Sequence, residues 1–211
     1  MSSNPQIIDW GFKPYSQALA LQQGLVDARI RDEIEDTLVF TEHEPVYTIG
    51  SRKQALENLN LSPSALREKN ISFYKTNRGG DITFHGPGQL VIYPILKLKN
   101  KDLHNYLRIL EQTIIRVLKA DKIDASLREG KTGIWIEKRK ICAIGISVRS
   151  WVSYHGLALN IDTDLSYYDH IIPCGIRDGT VTSLKNEGIQ EINKNDIKER
   201  FLVEFTNFFY D

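Results

Sequence analysis

Cys174 stands in the stretch IIPCGIRDG, between Pro173 and Gly175, a setting that belongs to a turn and not to the interior of a strand or helix. The other cysteine, Cys142, lies in KICAIGI among aliphatic neighbours, where a thiol behaves as a small core residue. Of the two, Cys174 is the candidate nucleophile. An ordinary thiol, with a pKa of about 8.5, is only a few per cent thiolate near neutral pH, so a working cysteine needs a cation or a base beside it. His43, His85 and His155 each fall at a strand end or beside a glycine, and any of them can accept or orient a proton. An isolated histidine is more often a hydrogen-bonded structural residue. Lys140 differs from the charges before it, because Glu137, Lys138 and Arg139 fill a turn whereas Lys140 enters the apolar run ICAIGI. Its stem can lie along a sheet with the ammonium held in place, although an ordinary strand-end lysine gives the same pattern.

A second feature surrounds His85. The stretch RGGDITFHGPGQLVIYPIL, residues 78–96, sets Gly79, Gly80, Gly86 and Gly88 about it. Glycine inside a regular element costs about 0.5–1 kcal/mol relative to alanine, so the cluster implies a backbone that bends sharply or approaches something closely. A tight turn between strands and a ligand-binding loop both meet that description.

The elements that must hold these residues follow from pattern. Residues 15–34 predict a helix with Tyr15, Leu19, Gln22, Val26 and Ile30 on one face, followed by the strands TLVFTEH and VYTIG. Ser62 before Pro63 marks the start of a short helix. ISFYKTN (71–77) and LVIYPIL (90–96) predict strands on either side of the glycine loop, with Pro94 marking an edge or a strand end. The clearest helix covers about 102–119, its stripe made by Leu103, Tyr106, Leu107, Leu110, Ile114, Val117 and Leu118. GIWIE and KICAIGISV form a hairpin, SYHGLALNID a further strand, and 195–209 a helix turning Ile197, Phe201, Phe205 and Phe208 inward. Strands and helices mix without regular βαβ alternation, which predicts an α+β domain with a mixed sheet flanked by helices, one domain over 1–211.

Composition bounds the class. The 211 residues suffice for a real core, and 41% hydrophobic with 26% charged residues is ordinary for a soluble globular chain. The 27 basic residues equal the 27 acidic ones, which argues against a general nucleic-acid binder. No signal-like or membrane-spanning apolar stretch is present, so a cytoplasmic location and no membrane partner are expected. The two cysteines exclude a disulfide scaffold and build no zinc-ligand spacing, so no metal is expected.

Together EHEPVYTIG (42–50), RGGDITFHGPGQLVIYPI (78–95), GIWIEKRKICAIGISV (133–148), YHGLALNIDTDL (154–165) and PCGIRDGTVTSL (173–184) resemble the octanoyltransferases of lipoate synthesis, the lipoate-protein ligase B family. The resemblance covers most of the chain. It implies the fold shared by biotin and lipoate protein ligases, and an octanoyl group moved from acyl carrier protein to a lysine of lipoyl domains, those of 2-oxoacid dehydrogenase complexes and the glycine cleavage H protein. No cofactor is implied. By motif position Cys174 is the thioester nucleophile and Lys140 its activating partner. The same positions put the acyl site on Arg78, Gly79, Gly80, Asp81, Ile82, Thr83, Phe84 and His85, on Ala143, Ile144 and Gly145, and on Gly156, Leu157 and Ala158, with His155 in support. The glycines then bring backbone close to the acyl chain and aim N–H groups at a carbonyl, with Gly145 among the oxyanion donors. An ATP-dependent lipoate or biotin ligase of the same fold is the alternative, disfavoured by the absence of a GRGRxGR-type loop and by Cys174, which nucleotide activation does not need. A scaffold that binds carrier proteins without transfer is a third, disfavoured by the presence of both nucleophile and partner.

Overall fold

The computed structural model describes residues 4–173 and 178–210. In chain order its elements are β1 (Gln6–Lys13), α1 (Tyr15–Ile30), β2 (Thr37–His43), β3 (Val46–Ile49), α2 (Pro63–Glu68), β4 (Ser72–Lys75), β5 (Ile82–His85), β6 (Gln89–Ile95), α3 (Leu103–Ala120), β7 (Ser126–Arg128), β8 (Lys131–Ile136), β9 (Arg139–Arg149), β10 (Val152–Asn160), β11 (Thr180–Val181) and α4 (Lys194–Phe209). Among the described residues the larger sheet runs β1-β2-β6-β10-β9-β8-β7, with β11 alongside β9, and a smaller one runs β4-β3-β5. The pairs β1–β2 and β11–β9 are parallel and the other pairs of the larger sheet antiparallel, so the sheet is mixed, as the absence of βαβ alternation predicts.

Each face of the larger sheet is covered differently. α3 starts where the Asp102 carboxylate accepts the Asn105 N–H at 2.9 Å, and it buries Tyr106, Leu110, Ile114, Val117 and Leu118. With Ile197, Phe201 and Phe205 of α4 these side chains pack on Leu38, Leu90, Ile92, Leu157, Leu159 and Ile144. On the other face Val26 of α1 packs with Val39, Val91, Tyr93 and Ala158. The small sheet has its own core of Tyr47, Ile49, Ile82, Phe84, Leu66 and Ile71. Among the described residues no helix is long and apolar enough to cross a membrane.

Several expectations shift by a turn or a residue. α1 ends at Ile30, which packs partly buried on the core as expected, while Ala18 takes the buried place expected of Leu19 and Arg29 joins that face. Phe209, not Phe208, turns to the core from α4, and Leu103 is 39% exposed at the first turn of α3. Of the two places expected for Pro94 the structure gives the strand end: it is the next-to-last residue of β6, which lies between β2 and β10 and so is no edge, and the ladder to β10 stops at Ile92, so the missing N–H breaks no recorded bond of that ladder. Arg139 is the first residue of β9, leaving Glu137 and Lys138 as the turn, with Glu137 at φ 53.

Candidate active site

A single extra residue decides where Lys140 points. Ile134 of β8 stands opposite Cys142 and Trp135 stands opposite Lys140, so Ile141 is a β-bulge on β9. The two-residue period of a strand would put Lys140 on the same face as Cys142 and Ile144, in the core under α3. The bulge inverts that parity. Ile141 and Cys142 both enter the core, while Lys140 comes onto the opposite face beside Ala143. There the ammonium donates to the Thr132 carbonyl at 2.9 Å and lies 4.8 Å from the centre of the Trp135 ring, a cation–π contact. The Arg128 guanidinium is 5.1 Å from that same ring.

Lys140 lines a cavity of about 160 Å³. The floor is the larger sheet, through Ala143, Gly145, Gly156, Ala158, Val91 and Tyr93. Tyr15, at the start of α1, and Arg52, Arg78, Thr83 and His85 of the small-sheet side line it as well, and Gly130, Lys131 and Thr132 line it on the side of Lys140. Of the expected acyl-site residues, Arg78, Gly80, Asp81, Thr83, His85, Ala143, Ile144, Gly145, His155, Gly156, Leu157 and Ala158 meet here. Ile82 and Phe84 do not, because β5 alternates: Thr83 and His85 face the cavity, and Ile82 and Phe84 the core of the small sheet. Gly79 is also outside the lining, and its N–H donates to the Ile146 carbonyl at 2.8 Å. The Gly88 N–H is likewise taken, by the Glu42 carboxylate at 2.8 Å. These two amides serve the fold, not an oxyanion. Gly86 and Gly88 answer to packing, since a Cβ would stand 2.3 Å from the Phe84 ring at Gly86 and 2.5 Å from the Asp162 carbonyl oxygen at Gly88.

The polar groups behind the cavity form a fixed chain. Arg78 donates to the Thr48 carbonyl at 2.6 Å and to its hydroxyl at 3.0 Å. That hydroxyl donates to His85 Nε2 at 3.3 Å, while His85 Nδ1–H donates to Gln89 Oε1 at 2.8 Å. The tautomer follows because the Gln89 amide nitrogen already faces oxygens, Asn160 Oδ1 at 2.8 Å and the Phe84 carbonyl at 3.2 Å. Burial first, then the nearby His43 and Arg78, pushes the His85 pKa down to about 3. His85 is therefore neutral near pH 7 with both nitrogens engaged, a positioning group. His43 is held at about 4 by burial, and His155 at about 4 by burial and then Arg78. His155 donates from Nε2 to Asn77 Oδ1 at 3.0 Å.

Cys174 lies outside the described residues. The residues on either side of that stretch are placed: Pro173, Gly179, Thr180 and Val181 line a crevice together with Trp135 and Lys140. Cys142, expected to be inert, is fully buried, and burial pushes its thiol up to about 12. Tyr15, Tyr93 and Trp135 escaped the sequence reading, because an aromatic residue in a strand or helix looks the same whether it faces a core or a cavity, and Thr132 escaped it because it meets Lys140 through its backbone carbonyl, which no side-chain pattern signals.

The model of the lipoyl protein ligase A/B catalytic domain matches residues 14–206. Among curated proteins, the octanoyltransferase of Flavobacterium psychrophilum is 43% identical over 99% of this chain and 98% of its own length. That of Rubrobacter xylanophilus is 45% identical over 92% of this chain and 89% of its own. Among solved structures, a lipoate-protein ligase A bound with ATP shares the fold at TM-score 0.78 and 15% identity, covering 99% of this chain and 86% of that one. The biotin protein ligase of Aquifex aeolicus follows at 0.57 and 12%, covering 100% and 70%.

Proposed function

Because the chain belongs to the lipoyl protein ligase A/B catalytic family and, within it, with the octanoyltransferases, it is an acyltransferase of protein lipoylation, and we propose that it works through a thioester on Cys174. The donor is octanoyl-acyl carrier protein, and the acceptor is a lysine of lipoyl domains, those of 2-oxoacid dehydrogenase complexes and the glycine cleavage H protein. The observation that carries this reading is Lys140, a lysine 95% buried yet turned by a bulge onto a cavity floored with small residues, beside the residues that flank Cys174.

In the first step the Cys174 sulfur attacks the acyl carbonyl carbon, the bond from that carbon to the carrier sulfur breaks, and the cysteine proton passes by way of Lys140 to the departing sulfur. In the second, the acceptor amine attacks the new thioester. A C–N bond forms as the C–S bond breaks, and the amine proton returns through Lys140 to Cys174. A thioester arrives already activated, so no nucleotide is required. The rest of the site orients: the neutral histidines and Arg78 hold the walls, and the small residues of β9 and β10 leave room for the chain.

Intact-mass measurement after mixing the protein with octanoyl-carrier protein, without ATP, tests the reading. One octanoyl adduct, discharged on adding a lipoyl domain, is expected. No adduct without ATP would point to a nucleotide-using ligase.

A further inference from the structure

The floor of the cavity can be counted in strands. On β9 its residues are Ala143 and Gly145, and directly across the ladder on β10 stand Ala158 and Gly156. One strand further, Ala158 faces Val91 on β6, and Tyr93 is the next residue of β6 on that face. At these four floor positions, then, no side chain is larger than a methyl group, and on the third strand they rise to valine and tyrosine. With strands about 4.8 Å apart, the trench from β9 to β6 is about 10 Å long. An extended peptide covers about 3.6 Å in three backbone bonds, so the seven bonds of an eight-carbon chain reach about 8–9 Å.

The wall at β6 is braced. The Tyr93 hydroxyl donates to His43 Nε2 at 2.7 Å, and His43 Nδ1–H donates to the Lys13 carbonyl at 2.9 Å. The carbonyl can only accept, which fixes the tautomer and the direction of both bonds. Tyr93 is 4% exposed and His43 0%. The Trp10 ring stands 6.3 Å from that of Tyr93, and Tyr15 stacks on His85 at 6.3 Å to complete the far side.

We propose that β6 gauges acyl length, with Tyr93, seconded by Val91, as the stop against which the terminal methyl of the chain rests. The inference rests on the octanoyl reading above. It makes the choice of eight carbons a count of strands between the lysine and the first large side chain.

The test compares kcat/KM for hexanoyl-, octanoyl-, decanoyl- and dodecanoyl-carrier protein on the full chain. Tyr93→Ala and the milder Tyr93→Leu and Val91→Ala lengthen the trench, and each raises the decanoyl-to-octanoyl ratio, at least about tenfold for Tyr93→Ala. Tyr93→Phe keeps the wall and loses only the bond to His43, so octanoyl stays the preferred donor. Should Tyr93→Ala fail to fold, as circular dichroism will show, the two milder variants carry the test. Transfer with an unchanged chain-length ranking in them overturns the gauge alone. No transfer by the unsubstituted enzyme overturns the octanoyl reading, and the gauge with it.

Discussion

Thr182 donates its backbone N–H to the carbonyl oxygen of Lys140 at 2.9 Å, and Thr180 does the same to Lys138 at 3.0 Å. The chain that follows Cys174 is thus laddered in parallel onto the strand that carries Lys140, with Val181 opposite the lysine. The pairing anchors the chain just downstream of the proposed nucleophile against Lys140.

If Cys174 carries the acyl group, Cys174→Ser will form no stable octanoyl adduct from the carrier thioester, while its thermal midpoint stays within a degree or two of the unsubstituted protein, since exchanging a thiol for a hydroxyl of similar size costs little. Intact mass and calorimetry read the two effects. An undiminished adduct on the serine variant rules the assignment out.

On the proposed mechanism Lys140 would have two separable duties, charge and proton transfer. Lys140→Ala should slow iodoacetamide alkylation of Cys174 near pH 7 and move its pH profile upward, toward the ordinary thiol value of about 8.5. Lys140→Arg keeps the charge but cannot relay a proton, so it should retain a reactive thiol and fail in single-turnover transfer to the acceptor lysine. An alkylation profile for Lys140→Ala that overlays the parent would place the activating group elsewhere.

Narrowing the trench should discriminate by chain length. Ala158→Leu fills the floor between β9 and β6, so octanoyl transfer should fall at least about tenfold more than butanoyl transfer. Equal losses for both donors would remove Ala158 from the acyl path. Gly156→Ala is a different case, because its Cβ would stand 2.1 Å from the Ile92 carbonyl oxygen, and it should cost about 1–3 kcal/mol of stability in urea denaturation.

Acid should loosen this protein through its buried imidazoles. His43 and His155 are held at about 4 and His85 at about 3, all by burial first, against about 6.5 when unfolded. Below pH 6.5 the unfolded chain binds protons that the folded one refuses, so their contribution is fully present above 6.5 and is lost as pH falls toward 4. Each group gives a slope of about 1.4 kcal/mol per pH unit inside that window. Denaturant midpoints between pH 7.5 and 5 should therefore drop steeply, and His155→Gln should flatten the drop by about a third. A level profile would contradict neutral buried histidines.

Much of this was legible in the sequence. The stripe Leu110, Ile114, Val117 marked α3, and Ser62 with Pro63 marked α2, whose cap accepts the Ala65 N–H at 3.2 Å. Local chemistry sets such features. Other elements are set from outside: β1 exposes most of its residues and carries no buried alternation, β11 is two residues long and exists through β9, and β5 hid inside the glycine loop. The motif pointed to Lys140, but its facing could not be counted from periodicity, which leads to the wrong side. Tyr93 reads as a core residue until its register against β2 and β10 is known.

The bulge at Ile141 also acts as a proofreader of assembly. If β8 and β9 slipped into an unbulged register, Lys140 would be driven among Ile134, Ile144 and the side chains of α3, and taking the ammonium into that apolar core, with only the buried Glu111 carboxylate at hand, costs free energy. A misaligned hairpin is therefore at a disadvantage to the correct one. The residue assigned to chemistry doubles as the error signal that keeps the hairpin in frame, and Lys140→Met should reveal it by letting both registers coexist.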